Sequence, residues 1–318
     1  MVWETWIFVL GVTLPNLLLL VLGVVLRRCG LLNDTFCEGA SRLVFLLALP
    51  CLLFFSISSH PLPLASNLPL ALYGGAGTLI SWLLLELVAP LLVKNRRERG
   101  IFVQGGFRAN TAIVGLAYAS MAYGKEGIAT GSLYMAVTVI LFNLLSVISL
   151  TRSLSPGGAG VKGGFTVVRG VVKNPLIISL VVALLWSSTG WQIPHAIART
   201  GDLISGLALP LAMLCAGASL DLSAAFSASL TALYSSLARV LIIPLLLTVG
   251  GWLCGFRGAE LGVMFLFSCT PAAAASYAMT RAMGGNGVLA ANIIGLTTVG
   301  SIITTSFGLY ILRSYQLG

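Results

Sequence analysis

Charge is what this chain has least of. Asp, Glu, Lys and Arg together make up 8% of its 318 residues, against roughly 25% in a typical soluble domain. Such a chain cannot clothe a water-facing surface, which excludes a soluble globular protein. Acidic residues are the scarcest, 9 against 18 Lys and Arg. Histidine occurs twice, at His60 and His195, each in a loop without a metal-ligand partner. The six cysteines stand singly, with Cys51, Cys215 and Cys269 inside apolar runs, and read as structural thiols rather than a zinc or redox motif. The sequence holds no Walker motif and no nucleophile–base–orienter set, and its connections are too short for an extramembrane catalytic domain. An enzyme is therefore not expected, nor a metal, nor a cofactor. The net charge of +9 does not point to nucleic acid. The basic residues cluster in short connections, where they orient the chain or meet anionic headgroups.

What the chain has in quantity is apolar sequence. Hydrophobic residues fill 58% of positions and glycine another 36 residues, and the mean hydropathy is +1.00. Runs of about 20 apolar residues, each long enough to cross a bilayer as a helix, recur from end to end. They predict ten spans over residues 6–26, 36–57, 68–93, 101–122, 127–150, 170–189, 198–219, 227–253, 260–281 and 287–311. The first run lacks a basic leader and a small-residue cleavage site, and is read as a permanent span. The sequence also repeats itself at an offset of 160 residues: Pro15 answers to Pro175, Gly30 to Gly190, and Leu47-Ala48-Leu49-Pro50 to Leu207-Ala208-Leu209-Pro210. The fold expected is an all-α membrane protein of two five-helix repeats, residues 1–151 and 169–318, joined by a linker at 152–168. Five is odd, so the second copy is expected to enter from the opposite side, as in alternating-access carriers. With the N-terminus outside, the inner connections hold 12 of the 18 basic residues and the outer ones four. The positive-inside rule then puts both termini outside the cytoplasm.

Polar residues within the spans mark the candidate site, because hydrogen-bonding groups are costly in lipid. The fourth span contains Gly105-Gly106-Phe107-Arg108-Ala109-Asn110-Thr111, and the ninth Ser268-Cys269-Thr270-Pro271-Ala272-Ala273. Pro271 cannot donate to a helical ladder and frees a carbonyl one turn earlier. If both spans break and cross there, exposed N–H groups attract a carboxylate and exposed carbonyls a cation. Arg108 with Asn110 is the leading anion-contacting pair, with Thr111, Thr270, Ser276 and Asn16 as further binding candidates. Snorkelling to the interface is the other reading of Arg108. Glu86 and Arg239 are candidates for proton coupling, for a direct role in transport or for a structural ion pair with each other. Pro50, Pro210, Pro244 and Pro271 are expected to break or kink their helices. The small residues could instead serve only close helix packing.

The chain resembles the auxin efflux carrier family, which includes bacterial malonate-type permeases and plant PIN-like proteins. Carrying the resemblance are Phe107-Arg108-Ala109-Asn110-Thr111 through Gly115-Leu116, Lys173-Asn174-Pro175-Leu176, Leu209-Pro210 with Gly217, Pro271-Ala272 through Ser276, and Leu296-Thr297-Thr298 with Ser301. The resemblance implies ten spans in two inverted repeats with crossed broken helices, as in bile-acid symporters and sodium–proton antiporters, in a commonly dimeric assembly. It implies transport of organic carboxylates, with Asn110 and Thr270-Pro271 at the crossover. Ala109 stands where many relatives carry glycine, and the short linker differs from the long loop of many plant relatives, which fits a bacterial inner membrane better. The function expected is secondary transport of a small organic anion, such as a dicarboxylate or an aromatic acid, coupled to protons or sodium. A cation–proton antiporter, or a signalling or anchoring protein without turnover, would fit the same framework.

Overall fold

The computed structural model describes residues 14–15, 18–58, 68–155, 173, 175–219, 229–315 and 317. In lipid, every backbone N–H and C=O must find a partner within the protein, which favours helix throughout. The described residues are accordingly almost all helical, and the one β feature among them is an isolated antiparallel bridge between Ala109 and Ala272. Helix α1 covers residues 18–28. Helix α2 (Asp34–Leu43) runs through a π turn (Val44–Ala48) into α3 (Leu49–Ser58), and α4 (Leu68–Leu92) follows. Next come α5 (Arg96–Phe107), a second π turn (Thr111–Gly115), α6 (Leu116–Leu154), α7 (Pro175–Thr189), α8 (His195–Ser205) and α9 (Ala208–Ala218). Helix α10 (Leu230–Leu237) passes through a third π turn (Ala238–Ile242) into α11 (Ile243–Leu253). The chain finishes with α12 (Gly258–Ser268), α13 (Ala275–Ala282) and α14 (Gly287–Ser314).

Local chemistry sets several of these boundaries. Asn33, Asn95 and Asn286 cap α2, α5 and α14, each side-chain oxygen accepting a bond from an orphan N–H of the first turn. Pro50 and Pro244 each follow a π turn, closed by bonds from the Leu49 N–H to the Val44 carbonyl and from the Ile243 N–H to the Ala238 carbonyl. A proline lacks the N–H for its own turn and crowds the carbonyl behind it, and the widened turn absorbs both effects. Pro210 is the third residue of α9, just after the turn at Gly206-Leu207, and Pro271 lies between α12 and α13. Helix α6 is interrupted at Gly124, whose φ of 59° is a conformation that a Cβ disfavours.

The expectation of ten spans in two inverted five-helix repeats, on a bile-acid-symporter-like plan, is overturned. Among the described residues six helices are long and apolar enough to cross a membrane: Asp34–Leu52, Leu68–Leu92, Leu133–Leu154, His195–Ala218, Leu230–Leu253 and Gly287–Ser314. The reason is length. A helix rises about 1.5 Å per residue and needs roughly 20 residues to cross the hydrocarbon. Helix α5 has 12 residues and α12 has 11, because each stops partway through its apolar run. Helix α7, with 15 residues, is also short. Residues 6–13 and 16–17 of the first expected span, Asn16 included, lie outside the described residues, as do Asn174, His60 and the linker from residue 156 onward.

The two interrupted helices pack inside, and α4 and the α10–α11 segment present apolar side chains outward. Helices α5 and α12 bury Phe102, Phe107, Leu266 and Phe267, whereas α4 and α11 leave Leu83, Leu87, Leu91, Leu245 and Leu253 exposed. Helices α1 and α9 touch backbone to backbone. A Cβ on Gly217 would lie 2.1 Å from the Leu20 carbonyl oxygen, and one on Gly23 2.2 Å from that of Leu214.

Candidate functional site

Two helix stops meet in the protein interior. Helix α5 ends at Phe107, and Arg108 continues it in an extended conformation with φ −81° and ψ 101°. Helix α12 ends at Ser268, and α13 begins only at Ala275. Between them the strands of connecting backbone run antiparallel. The Asn110 N–H donates to the Pro271 carbonyl at 3.0 Å, and the Ala273 N–H donates to the Arg108 carbonyl at 3.2 Å. A third tie runs from the Ala272 N–H to Thr297 Oγ1 of α14 at 3.1 Å. Backbone outside a helix is tolerated at membrane depth only where protein or a wet cavity satisfies it, and these bonds supply that satisfaction.

The carbonyls at the two stops still need donors, since the last turn of a helix leaves its C=O groups without helical partners. Arg239, 1% exposed, provides them. Its Nη1 donates to the Phe107 carbonyl at 2.8 Å, and its Nη2 donates to the Ser268 carbonyl. One guanidinium thus joins the negative ends of two helices, where a cation is most favourable. The alternative in which Glu86 neutralises Arg239 is not realised. Glu86 instead accepts from Ser149 Oγ at 2.6 Å and from Arg152 Nη1 at 3.2 Å, near one end of α4. Arg239 sits one residue into a π turn, which directs it inward at the crossing and away from that acid.

Beside the crossing lies a cavity with about 80 Å³ open to the centre of a water-sized sphere. Arg108, Asn110, Thr111 and Asn143 supply its polar wall, and Leu49, Leu52, Val139, Phe142, Leu209 and several alanines the rest. Arg108 is 4% exposed, so it does not snorkel. Its Nη2 donates to Asn143 Oδ1 at 2.8 Å and its Nη1 to the Met279 sulfur at 3.0 Å, a weak acceptor. Among the described residues no carboxylate pairs with it. Asn110 Nδ2 and Thr111 Oγ1 are buried without a protein hydrogen-bond partner. The wall therefore offers a buried cation and two unspent polar groups to a ligand that brings its own negative charge.

Other expected site residues are placed differently. Thr270 is fully buried and its hydroxyl donates to the Phe267 carbonyl at 2.9 Å, so it finishes α12 instead of lining the cavity. Pro271 contributes its carbonyl to the Asn110 N–H. Ser276 is buried behind the crossing among Gln104, Gly105, Ala272 and Ile293, its hydroxyl unpartnered. Sequence reasoning missed Gln104, which links the two broken helices. Its Nε2 donates to the Met279 sulfur at 3.2 Å and its Oε1 accepts from Thr280 Oγ1 at 3.1 Å. The signal was available: Gln104 is a polar residue four positions before Arg108 in an apolar run, and so on the same helix face.

Two broken helices bonded in the interior of a multi-pass, all-α membrane protein, beside a cavity with a buried cation on its wall, have the build of a membrane carrier. The family model for "Membrane transport protein" matches residues 8–309, and the chain belongs to that family. An "Uncharacterized transporter" of Methanothermobacter thermautotrophicus is 26% identical over 266 residues, covering 82% of this chain and 84% of that protein. The "Uncharacterized transporter YfdV" of Escherichia coli K12 is 22% identical over 319 residues, covering 96% of this chain and 98% of that protein. The protein of the same name from Shigella flexneri matches to the same extent.

Proposed function

We propose that this membrane transport protein is a secondary carrier of a small organic anion, bound by its carboxylate in the cavity beside the crossing. The single observation that carries this reading is Arg108, a buried guanidinium held by an amide oxygen and a sulfur with no acid opposite it among the described residues. A buried cation without a counter-charge is costly, and a substrate carboxylate relieves that cost through parallel hydrogen bonds. Asn110 Nδ2 and the Thr111 hydroxyl stand on the same wall to take the second oxygen. The apolar remainder, Leu49, Leu52, Val139 and Phe142 among it, suits a hydrocarbon or aromatic body rather than a second carboxylate. Transport then follows from movement of the bonded helix stops relative to the helices around them, opening the cavity to one side at a time.

Cation–proton antiport on the same frame needs a carboxylate at the crossing. Among the described residues lining this cavity there is none, and Glu86 is committed to Ser149 and Arg152. The test is uptake and efflux of a panel of aliphatic and aromatic carboxylates by purified protein in vesicles, with Asn110→Ala as the variant. Accumulation by the wild type and a loss of at least tenfold in N110A, folded as judged by its melting curve, is the expected result. Undiminished carboxylate transport by N110A would remove the proposed centre. A wild type that accumulates no carboxylate would leave a binding protein without turnover.

A further inference from the structure

A second polar cavity lies away from the crossing, where α4, α5 and α6 converge at one end. It leaves about 150 Å³ open to the centre of a water-sized sphere and is lined by Arg96, Arg99, Arg152, Glu86, Ser149 and Ser153, with small residues between them. Three guanidiniums face one carboxylate, an excess of two positive charges. Each arginine spends one N–H on the protein. Arg96 Nη2 donates to the Arg152 carbonyl at 3.0 Å, Arg99 Nε to the Val93 carbonyl at 2.9 Å, and Arg152 Nη1 to Glu86 at 3.2 Å. Each fork is thus anchored and keeps its other N–H groups for a ligand. Glu86 is itself occupied by Ser149 at 2.6 Å, so it cannot neutralise all three. The backbone approach that frames the cavity is also close, for a Cβ on Gly100 would lie 2.5 Å from the Ser149 carbonyl oxygen.

We propose that this cavity is a binding site for a phosphate group, held in a fork of three arginines. Planar guanidiniums pair with phosphate oxygens two at a time, and two net charges match a singly or doubly ionised phosphate. A phospholipid headgroup is the source the surroundings favour. Helix α4 presents Leu83, Leu87 and Leu91, the last 83% exposed, on its outer face beside the cavity, where acyl chains would lie. The same end of the bundle carries Arg96, Arg97, Arg99 and Arg152, which the positive-inside rule places at the cytoplasmic leaflet with its anionic lipids. This site is independent of the carboxylate cavity, and nothing in the transport reading depends on it.

The experiment is a thermal unfolding titration of the purified full-length protein in detergent with phosphatidylglycerol, phosphatidylcholine or inorganic phosphate. Phosphatidylglycerol is expected to raise the apparent Tm by about 3 °C or more near saturation, as a ligand selective for the folded state does. Phosphatidylcholine, which carries its own cation, is expected to do less. A rise with millimolar inorganic phosphate and none with phosphatidylglycerol would support the fork and assign it to a free anion. Arg96→Gln with Arg99→Gln is expected to weaken binding at least fivefold, and Arg27→Gln, removing an exposed ion pair with Asp34 elsewhere, to leave it unchanged. Glu86→Gln is expected to tighten binding severalfold, because it deletes the one opposing charge among the described lining residues. No shift with either anion, or an equal shift in the double arginine variant, would overturn the proposal. If the double variant does not fold, E86Q decides: unchanged or weaker anion binding would overturn it.

Discussion

Arg108 and Arg239 are the same side chain, 4% and 1% exposed, and both adjoin the same two helix stops. Their partners separate them. Arg239 spends Nη1 and Nη2 on the carbonyls of Phe107 and Ser268, which no helical N–H reaches. Arg108 spends its own on Asn143 and a methionine sulfur, and turns the rest of its fork toward a cavity. One guanidinium completes the backbone and the other waits for a solute. A buried charge is therefore not a functional assignment in itself; what its donors bond decides that.

The sharpest way to break this contrast is Arg239→Ala. It leaves two buried carbonyls without donors, and the expected loss is on the order of 3–5 kcal/mol of stability, read as a lower Tm in detergent with poor recovery of folded protein. Arg239→Lys is expected to restore part of it, since an ammonium keeps the charge but not the two-pronged reach. An R239A protein with wild-type Tm and impaired transport would instead make Arg239 a solute contact.

Arg108→Gln comes next. It is expected to retain the fold while raising KM for the carboxylate roughly ten- to a hundredfold, the span of a lost charge-assisted hydrogen bond. Transport assays on vesicles matched for folded protein check it, and a collapse in Tm comparable to that of R239A would erase the distinction.

The smallest effect belongs to Thr111→Val. Its hydroxyl is buried without a partner, so removing it is expected to hold or slightly raise Tm while weakening carboxylate transport a few fold. Unchanged transport would take Thr111 off the binding wall.

Much of the candidate site was marked in the sequence because lipid makes polar groups conspicuous. Arg108, Asn110 and Thr111 in an apolar run needed a reason to be there, and they share one wall in the structure. Thr270 drew attention by the same rule, yet its hydroxyl is consumed by the end of its own helix, a local bond that composition cannot foresee. Gln104 was passed over although it bridges to α13 through Met279 and Thr280. Span counting fared worse than site reading. A hydropathy window sums apolar residues without registering where the backbone stops being helical, so residues 101–122 and 260–281 were counted as spans even with a break expected in each, whereas α5 and α12 end at Phe107 and Ser268. The reading that paired Glu86 with Arg239, one of three left open, matched charges by scarcity, whereas the buried arginine has backbone carbonyls to serve and Glu86 has Ser149 and Arg152.

By itself the sequence determined the solvent and the class: too little charge to face water, enough apolar length to live in a bilayer, and helix as the backbone form that lipid permits. It also marked where helices would be hardest to continue, in the stretch from Gly105 to Thr111 and around Pro271. Only the tertiary structure decided that those two weak points bond to each other, that Arg239 closes them, and that Arg108 is left facing a cavity. The physical reason is that an unpaired carbonyl or guanidinium in a low-dielectric interior takes whichever partner packing brings within 3 Å or so, and packing joins residues that stand far apart along the chain.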